Sequence, residues 1–201
     1  MATVSEAVKA LSVTFGEDES FVRQVARRLI DDGQLPKSRG RDLAHVSNED
    51  VSRLILAVLT TDKVNRSGHN ALTYWSLRFN GEPDNAAFGL FLAGAIENLR
   101  HRKPIEINDD ISLWYDRIQF EIVTSYPVAF VRCAADVLDR PKAFDGDLIF
   151  AEEGKDARFW PDMKPRKSVT VPGHALFYLG AALDSADARA AAIGRRDEEH
   201  E

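Results

Sequence analysis

The sequence predicts an α+β protein, with a three-helix N-terminal unit followed by a mixed α+β domain on a small antiparallel sheet. Two observations carry that expectation. Apolar residues recur at three- and four-residue spacing through residues 4–59 and again before Arg100, the period of a half-buried helix. Beyond Arg117 the period falls to two, as in strands with one buried face, with turn-forming residues between the runs. At 201 residues, 44% of them hydrophobic and 29% charged, the chain can bury a sizeable core and is not a wholly disordered one.

The elements follow in order. Val4, Ala7, Val8 and Leu11 share one helical face and predict a short first helix that turns at Gly16. Glu17, Asp18, Glu19 and Ser20 then set acidic and capping side chains at the positive end of a second helix, which runs to Asp32 and stops at Gly33. At 100° per residue, Val22, Val25, Ala26, Leu29 and Ile30 fill one arc of it, and Arg23, Gln24, Arg27 and Arg28 fill the opposite arc. Gln34 to Val46 contains Pro36 and Gly40 and reads as a loop or a small two-stranded wing. Ser47 caps a third helix, with Asp50 completing a capping box. Val51, Leu54, Ile55 and Val58 line one side of that helix while Leu56 and Leu59 line another, the mark of a helix packed on two sides.

Helices are expected over Ala71–Phe79 and Asn85–Arg100, the second started by Pro83-Asp84. Ile118, Phe120 and Ile122 alternate with polar residues and predict a hairpin with Val128–Cys133. Asp147–Ala151 and Asp156–Trp160 suggest a second hairpin around Gly154, and Ser168–Val171 another strand. Pro172 suits the first turn of a helix through Leu183. The expected organisation is therefore residues 1–63, a polar connector at 64–70, an α+β domain over 71–194 and a frayed tail at 195–201.

Charge is distributed unevenly. The whole chain carries −6, yet between Arg23 and Arg41 six cations face only Asp31 and Asp32, a local net of +4. One compact basic segment in an acidic protein localises an anion-facing surface. Arg and Gln on one helix face match guanine and adenine edges. Lys37, Ser38, Arg39 and Arg41 sit on a loop suited to phosphate oxygens. Arg100-His101-Arg102-Lys103 closes a helix, where cations complement the dipole, and Lys164-Pro165-Arg166-Lys167 suits the protection of a sheet edge.

The run Val22-Arg23-Gln24-Val25-Ala26-Arg27-Arg28-Leu29-Ile30-Asp31-Asp32-Gly33-Gln34-Leu35-Pro36 is a basic helix ending in Gly-x-Leu-Pro. With Lys37-Ser38-Arg39-Gly40-Arg41 as a wing and Ser47–Leu54 as the start of the next helix, it resembles the winged helix-turn-helix of MerR-type transcription regulators over residues 3–60. That resemblance implies DNA binding, with the second helix in the major groove and the wing on the backbone. Val25-Ala26 stand where the family carries an aromatic residue, and no long dimerisation coiled coil follows the third helix. The layout also looks like regulator-like proteins of phages and mobile elements.

Residues with catalytic or metal-binding potential are scattered. His45, His69, His101, His174 and His200 form no metal-ligand spacing, and no phosphate-binding glycine pattern occurs. Cys133 lies in an apolar strand pattern and reads as a small core residue; Gly89 and Gly94 read as close-packing positions. The paired aromatics around Trp75, Trp114 and Trp160 read mainly as core. A lone cysteine, no membrane-length apolar run and no secretory pattern at Met1–Glu6 lead to the expectation of a cytoplasmic protein away from membranes. The functional expectation is a non-enzymatic, sequence-specific binder of double-stranded DNA, a transcription regulator, without cofactor or metal. Arg23, Gln24, Arg27 and Arg28 would read the groove, and Lys37, Ser38, Arg39 and Arg41 would hold phosphates. The C-terminal domain would supply homodimerisation or a protein contact. The alternative is a phage or mobile-element assembly protein, or a DNA-architectural recombination accessory factor.

Overall fold

In the computed structural model, the residues described are 2–38, 43–108, 111–114, 117–133, 147–155 and 165–198. They form a mixed α+β architecture with six α-helices, a five-stranded antiparallel sheet and a separate two-stranded one.

Helix α1 (Val4–Phe15) opens with a capping box. The Thr3 N–H donates to Glu6 Oε2 at 2.8 Å, and the Glu6 N–H returns to Thr3 Oγ1 at 3.3 Å. It closes at Gly16, whose φ of 69° a residue with a Cβ would resist. Helix α2 (Glu19–Asp31) is capped by Asp18, which accepts from the Phe21 N–H at 2.9 Å. Val22, Val25, Ala26 and Leu29 are buried, and α1 packs against α2 with Ala7, Val8 and Leu11 buried on its side. Helix α3 (Asn48–Thr60) carries the expected box between Ser47 and Asp50. Val51, Leu54, Ile55, Leu56, Ala57 and Val58 are all buried, because α3 is packed by α2 and by both helices that follow.

The polar stretch expected as a connector is helical instead. A 3-10 turn (Val64–Arg66) leads directly into α4 (Ser67–Trp75), with Ser67 and Gly68 buried. Tertiary contact decides this. Gln34 Nε2 donates to the Gly68 carbonyl at 3.0 Å, which docks the start of α4 beside the end of α2. The next helix also starts later than its apolar pattern suggests. Arg78–Phe79 form the short strand β1, and Arg78 bridges to Ala87, so the chain doubles back before α5 (Phe88–Arg100). Asn85 Nδ2 holds that reversal by donating to the Phe79 carbonyl at 3.0 Å, which removes Pro83-Asp84-Asn85 from the helix.

A two-stranded sheet of β2 (Ile105–Asn108) and β3 (Ile111–Leu113) follows, too short to register as alternation in the sequence. The expected hairpin is β4 (Ile118–Val123) with β5 (Val128–Cys133), in register at Phe120 and Val131. With β6 (Leu148–Ala151) and β7 (Ser168–Pro172) the sheet order is β1-β6-β5-β4-β7. Strand β6 therefore pairs with β5 and β1. Its expected hairpin partner, 156–160, lies outside the described residues. Pro172 ends β7 rather than entering the helix, and α6 runs from Gly173 to Glu198, so 195–198 continue that helix.

Helix α5 lies on the sheet through aromatic contacts, with Phe88 and Phe91 at 5.1 and 5.4 Å from Phe150 and Phe79 at 5.8 Å from it, each tilted. One buried apolar cluster continues from Ala2 to Leu183, so the N-terminal helices and the sheet share a core. Trp75 is packed against that core, whereas Trp114 is exposed and does not belong to it.

Candidate nucleic-acid interface

Helix periodicity sorts α2 into the two arcs expected. Arg23, Gln24, Arg27 and Arg28 are all exposed, opposite the buried Val22, Val25, Ala26 and Leu29. The four do not share one electrostatic state. Arg23 pairs with Glu19 one turn back. Arg28 forks onto Asp32, Nε to Oδ2 and Nη2 to Oδ1, both at 2.9 Å. Gln24 and Arg27 have no side-chain partner among the described residues. Exposed pairs of this kind are worth only about 0–1 kcal/mol, so the two paired arginines remain available to a polyanion.

Past α2, Gly33 at φ 71° reverses the chain, the Gln34 N–H bonds the Leu29 carbonyl at 2.8 Å, and Leu35 anchors the turn in the core. Lys37 and Ser38 are exposed. The Ser38 hydroxyl oxygen accepts from the Ala44 N–H at 3.0 Å, so it braces the neck of the loop. Arg39 and Arg41 lie outside the described residues. The loop's return limb also pairs with the N-terminus. The Val46 N–H donates to the Ala2 carbonyl at 2.8 Å, and His45 bridges Thr3.

Sequence reasoning missed a neighbouring set of cations. Lys63, Arg66 and His69 are exposed on the 3-10 turn and the first turn of α4, which pack beside α2. Their polarity reads as a linker because no apolar period runs through them. The Gln34–Gly68 hydrogen bond and the packing of the 3-10 turn and α4 on α2 bring them beside that helix.

The opposite end of α2 is anionic. Glu17, Asp18 and Glu19 are exposed, and the Asp18 carboxyl is held below its ordinary range by the Ser20 hydroxyl and the Phe21 N–H. Charge thus runs along the helix from negative at its start to the Arg27–Arg28 pair in its second half, before Asp31 and Asp32 close it.

The other basic clusters are engaged elsewhere. Arg100 pairs with Asp184, and His101 Nε2 lies 2.9 Å from Glu97. Arg166 and Arg132 both reach Glu121 at 2.6 Å, and Arg132 also reaches Asp147 at 3.1 Å. Burial pushes the Glu121 carboxyl up, but hydrogen bonds from Ser168 and Arg132 and the charges of Arg132 and Arg166 outweigh it, leaving it below the usual range. A groove of about 1030 Å³ runs between α1, β7 and α6, with Val13 and Tyr178 exposed on its rim. Among the described residues, no group of three or more His, Cys, Asp or Glu side chains is placed to hold a metal ion. No helix among them is long and apolar enough to cross a membrane. No family model, curated protein or solved structure matches the chain.

Proposed function

We propose that the chain is a sequence-specific double-stranded DNA-binding protein, a transcription regulator that docks a winged helix-turn-helix of MerR-like layout on the duplex. The observation that carries this is the exposed arc of α2, where Gln24 and Arg27 stand between Arg23 and Arg28 without side-chain partners among the described residues. Lys37 and Ser38, with Arg39 and Arg41 beyond them in the chain, and Lys63 and Arg66 on the segment packed beside α2 are suited to phosphates. The acidic first turn of α2 favours docking through the second half of the helix, since Glu17, Asp18 and Glu19 repel the backbone. One short helix and a wing make a small footprint, so binding as a homodimer through the α+β portion is part of the proposal.

Selection of duplexes from a random-sequence pool, followed by anisotropy titration at two salt concentrations, tests it. Arg27→Glu combined with Arg39→Glu should weaken the selected duplex by at least about tenfold and lower the salt slope by about one per lost phosphate contact. Recovery of no duplex by the wild-type chain, or unchanged affinity in the variant, overturns the proposal. A stable oligomer with no salt-sensitive duplex binding would favour the assembly-protein alternative.

A further inference from the structure

Among the described residues, Asp32 differs from the other carboxylates that pair with an arginine four residues away. Its side chain is 26% exposed, against 47% for Glu19 and 50% for Glu49. The reason lies behind it. Gly68 sits in the first turn of α4, and a Cβ on Gly68 would overlap Asp32 Oδ2. The carboxylate is wedged between Arg28 and the start of a helix whose N-cap, Arg66, supplies no side-chain cap. The positive end of the α4 dipole favours an anion there. On its other side, the carboxylate holds Arg28 by Nε and Nη2, both at 2.9 Å, which fixes the plane of the guanidinium. That grip occupies the lateral edge of the fork. The end-on edge, formed by Nη1 and Nη2, is the edge that meets guanine O6 and N7 together.

We infer that Asp32 is a positioning residue for Arg28, holding its guanidinium ready for a guanine edge, and that Gly68 exists to seat Asp32. The inference rests on the DNA-binding reading of α2. A long arginine side chain loses rotamer freedom when it binds, and a buttress that removes this freedom beforehand raises affinity for the matched base more than for bare phosphates. It also reverses the sign expected of a carboxylate beside a DNA site. An unengaged Asp32 would only repel the backbone, so its neutralisation would tighten binding to every duplex.

The test compares Asp32→Asn, Gly68→Ala and Arg28→Ala on a duplex recovered from a random pool by the wild-type chain and on a random-sequence duplex of equal length. Gly68→Ala changes no charge and places a good helix former in α4. Its Cβ displaces the Asp32 side chain and also crowds Gln34 Nε2, so Gln34→Ala, which should leave the selected duplex unchanged, controls for the loss of that docking bond. Asp32→Asn and Gly68→Ala should each weaken the selected duplex by about tenfold. Both should leave the random duplex no weaker than in the wild type, and neither should add to the loss in Arg28→Ala. In the free protein, the Arg28 Nε proton should exchange more slowly than that of Arg27, and this protection should vanish in Gly68→Ala. Wild-type binding accompanied by tighter binding of both duplexes to Asp32→Asn overturns the inference alone, as does equally fast exchange at Arg27 and Arg28. Failure of the wild-type chain to recover any duplex overturns the DNA reading together with the inference.

Discussion

The Tyr74 hydroxyl donates to the Val123 carbonyl at 2.6 Å, joining helix α4 to the last residue of strand β4. This bond links the helical layer around α2 to the sheet, and Tyr74 is buried, so the phenol cannot exchange its partner for water. Burial first, and the negative charge of Glu152 second, push its pKa up to about 12.

Stability should therefore decline on the alkaline side. The folded chain keeps the Tyr74 proton up to about pH 12, while the unfolded chain releases it near pH 10. The contribution is complete below pH 10 and is lost as pH rises through 12, on the order of 2–3 kcal/mol over the window. Urea denaturation between pH 9 and 12 should show this slope in the wild type and a flatter one in Tyr74→Phe. Equal slopes would show that another group dominates the alkaline limb.

Glu121 should produce a mirror-image effect in acid. Its folded carboxyl lies below its ordinary value of 4.5, so its stabilisation is present above that value and is lost as pH falls through the lowered one. Glu121→Gln should flatten the acid limb of the stability curve, and Arg132→Gln should do so in part, because Arg166 still pairs with Glu121. An acid limb unchanged in Glu121→Gln would contradict this account.

Gly89 is fixed by the ring beside it. A Cβ there would overlap Trp75, and the Gly89 carbonyl accepts the buried Ser52 hydroxyl at 3.0 Å, so neither α4 nor α3 can retreat freely. Arg53 covers the same indole at 4.1 Å from its centroid. Gly89→Ala should cost about 1–3 kcal/mol despite its better helix propensity. Pairing it with Trp75→Leu should recover part of that loss, measured by thermal unfolding. Gly94, in the same helix, meets nothing within 4 Å, and Gly94→Ala should be neutral or stabilising.

What the sequence made legible was what short-range rules decide. The two arcs of α2 follow from helical period alone, and Asp18 and Ser47 cap their helices through neighbours three residues away. The β4–β5 hairpin likewise emerged from alternation over six residues per strand. The rest was settled by contacts distant in the chain. Residues 64–70 are mostly polar, and contacts with α2 and α3, among them Gln34 to the Gly68 carbonyl and Asn70 to the Thr60 carbonyl, turn them into packed helix. The start of α5 moved to Phe88 because Asn85 bonds back to Phe79. For the candidate site, residue identity was legible but electrostatic state was not. Four side chains with equal claims on one arc divide into paired Arg23 and Arg28 and, among the described residues, unpartnered Gln24 and Arg27.

On the DNA-binding proposal, that division makes the acidic turn at the start of α2 a brake on docking. Glu17, Asp18 and Glu19 stand exposed within one turn, and Glu19 also holds Arg23. Asp18 caps the helix and cannot be replaced without weakening α2, whereas Glu17 and Glu19 accept no backbone N–H. Glu17→Gln with Glu19→Gln removes two negative charges from the docking face and releases Arg23, at a cost of a few tenths to about 1 kcal/mol in helix stability from the lost dipole and ion-pair terms. Duplex affinity at low salt should rise several-fold, on the order of 1 kcal/mol, with a steeper salt dependence as Arg23 joins the contact. The comparison variant is Glu153→Gln, a charge change of the same sign in the turn after β6, which should leave affinity unchanged. A gain from Glu153→Gln of about half the double variant's, in proportion to its single charge, would mean that net charge alone governs association, and that α2 is not the face that meets DNA.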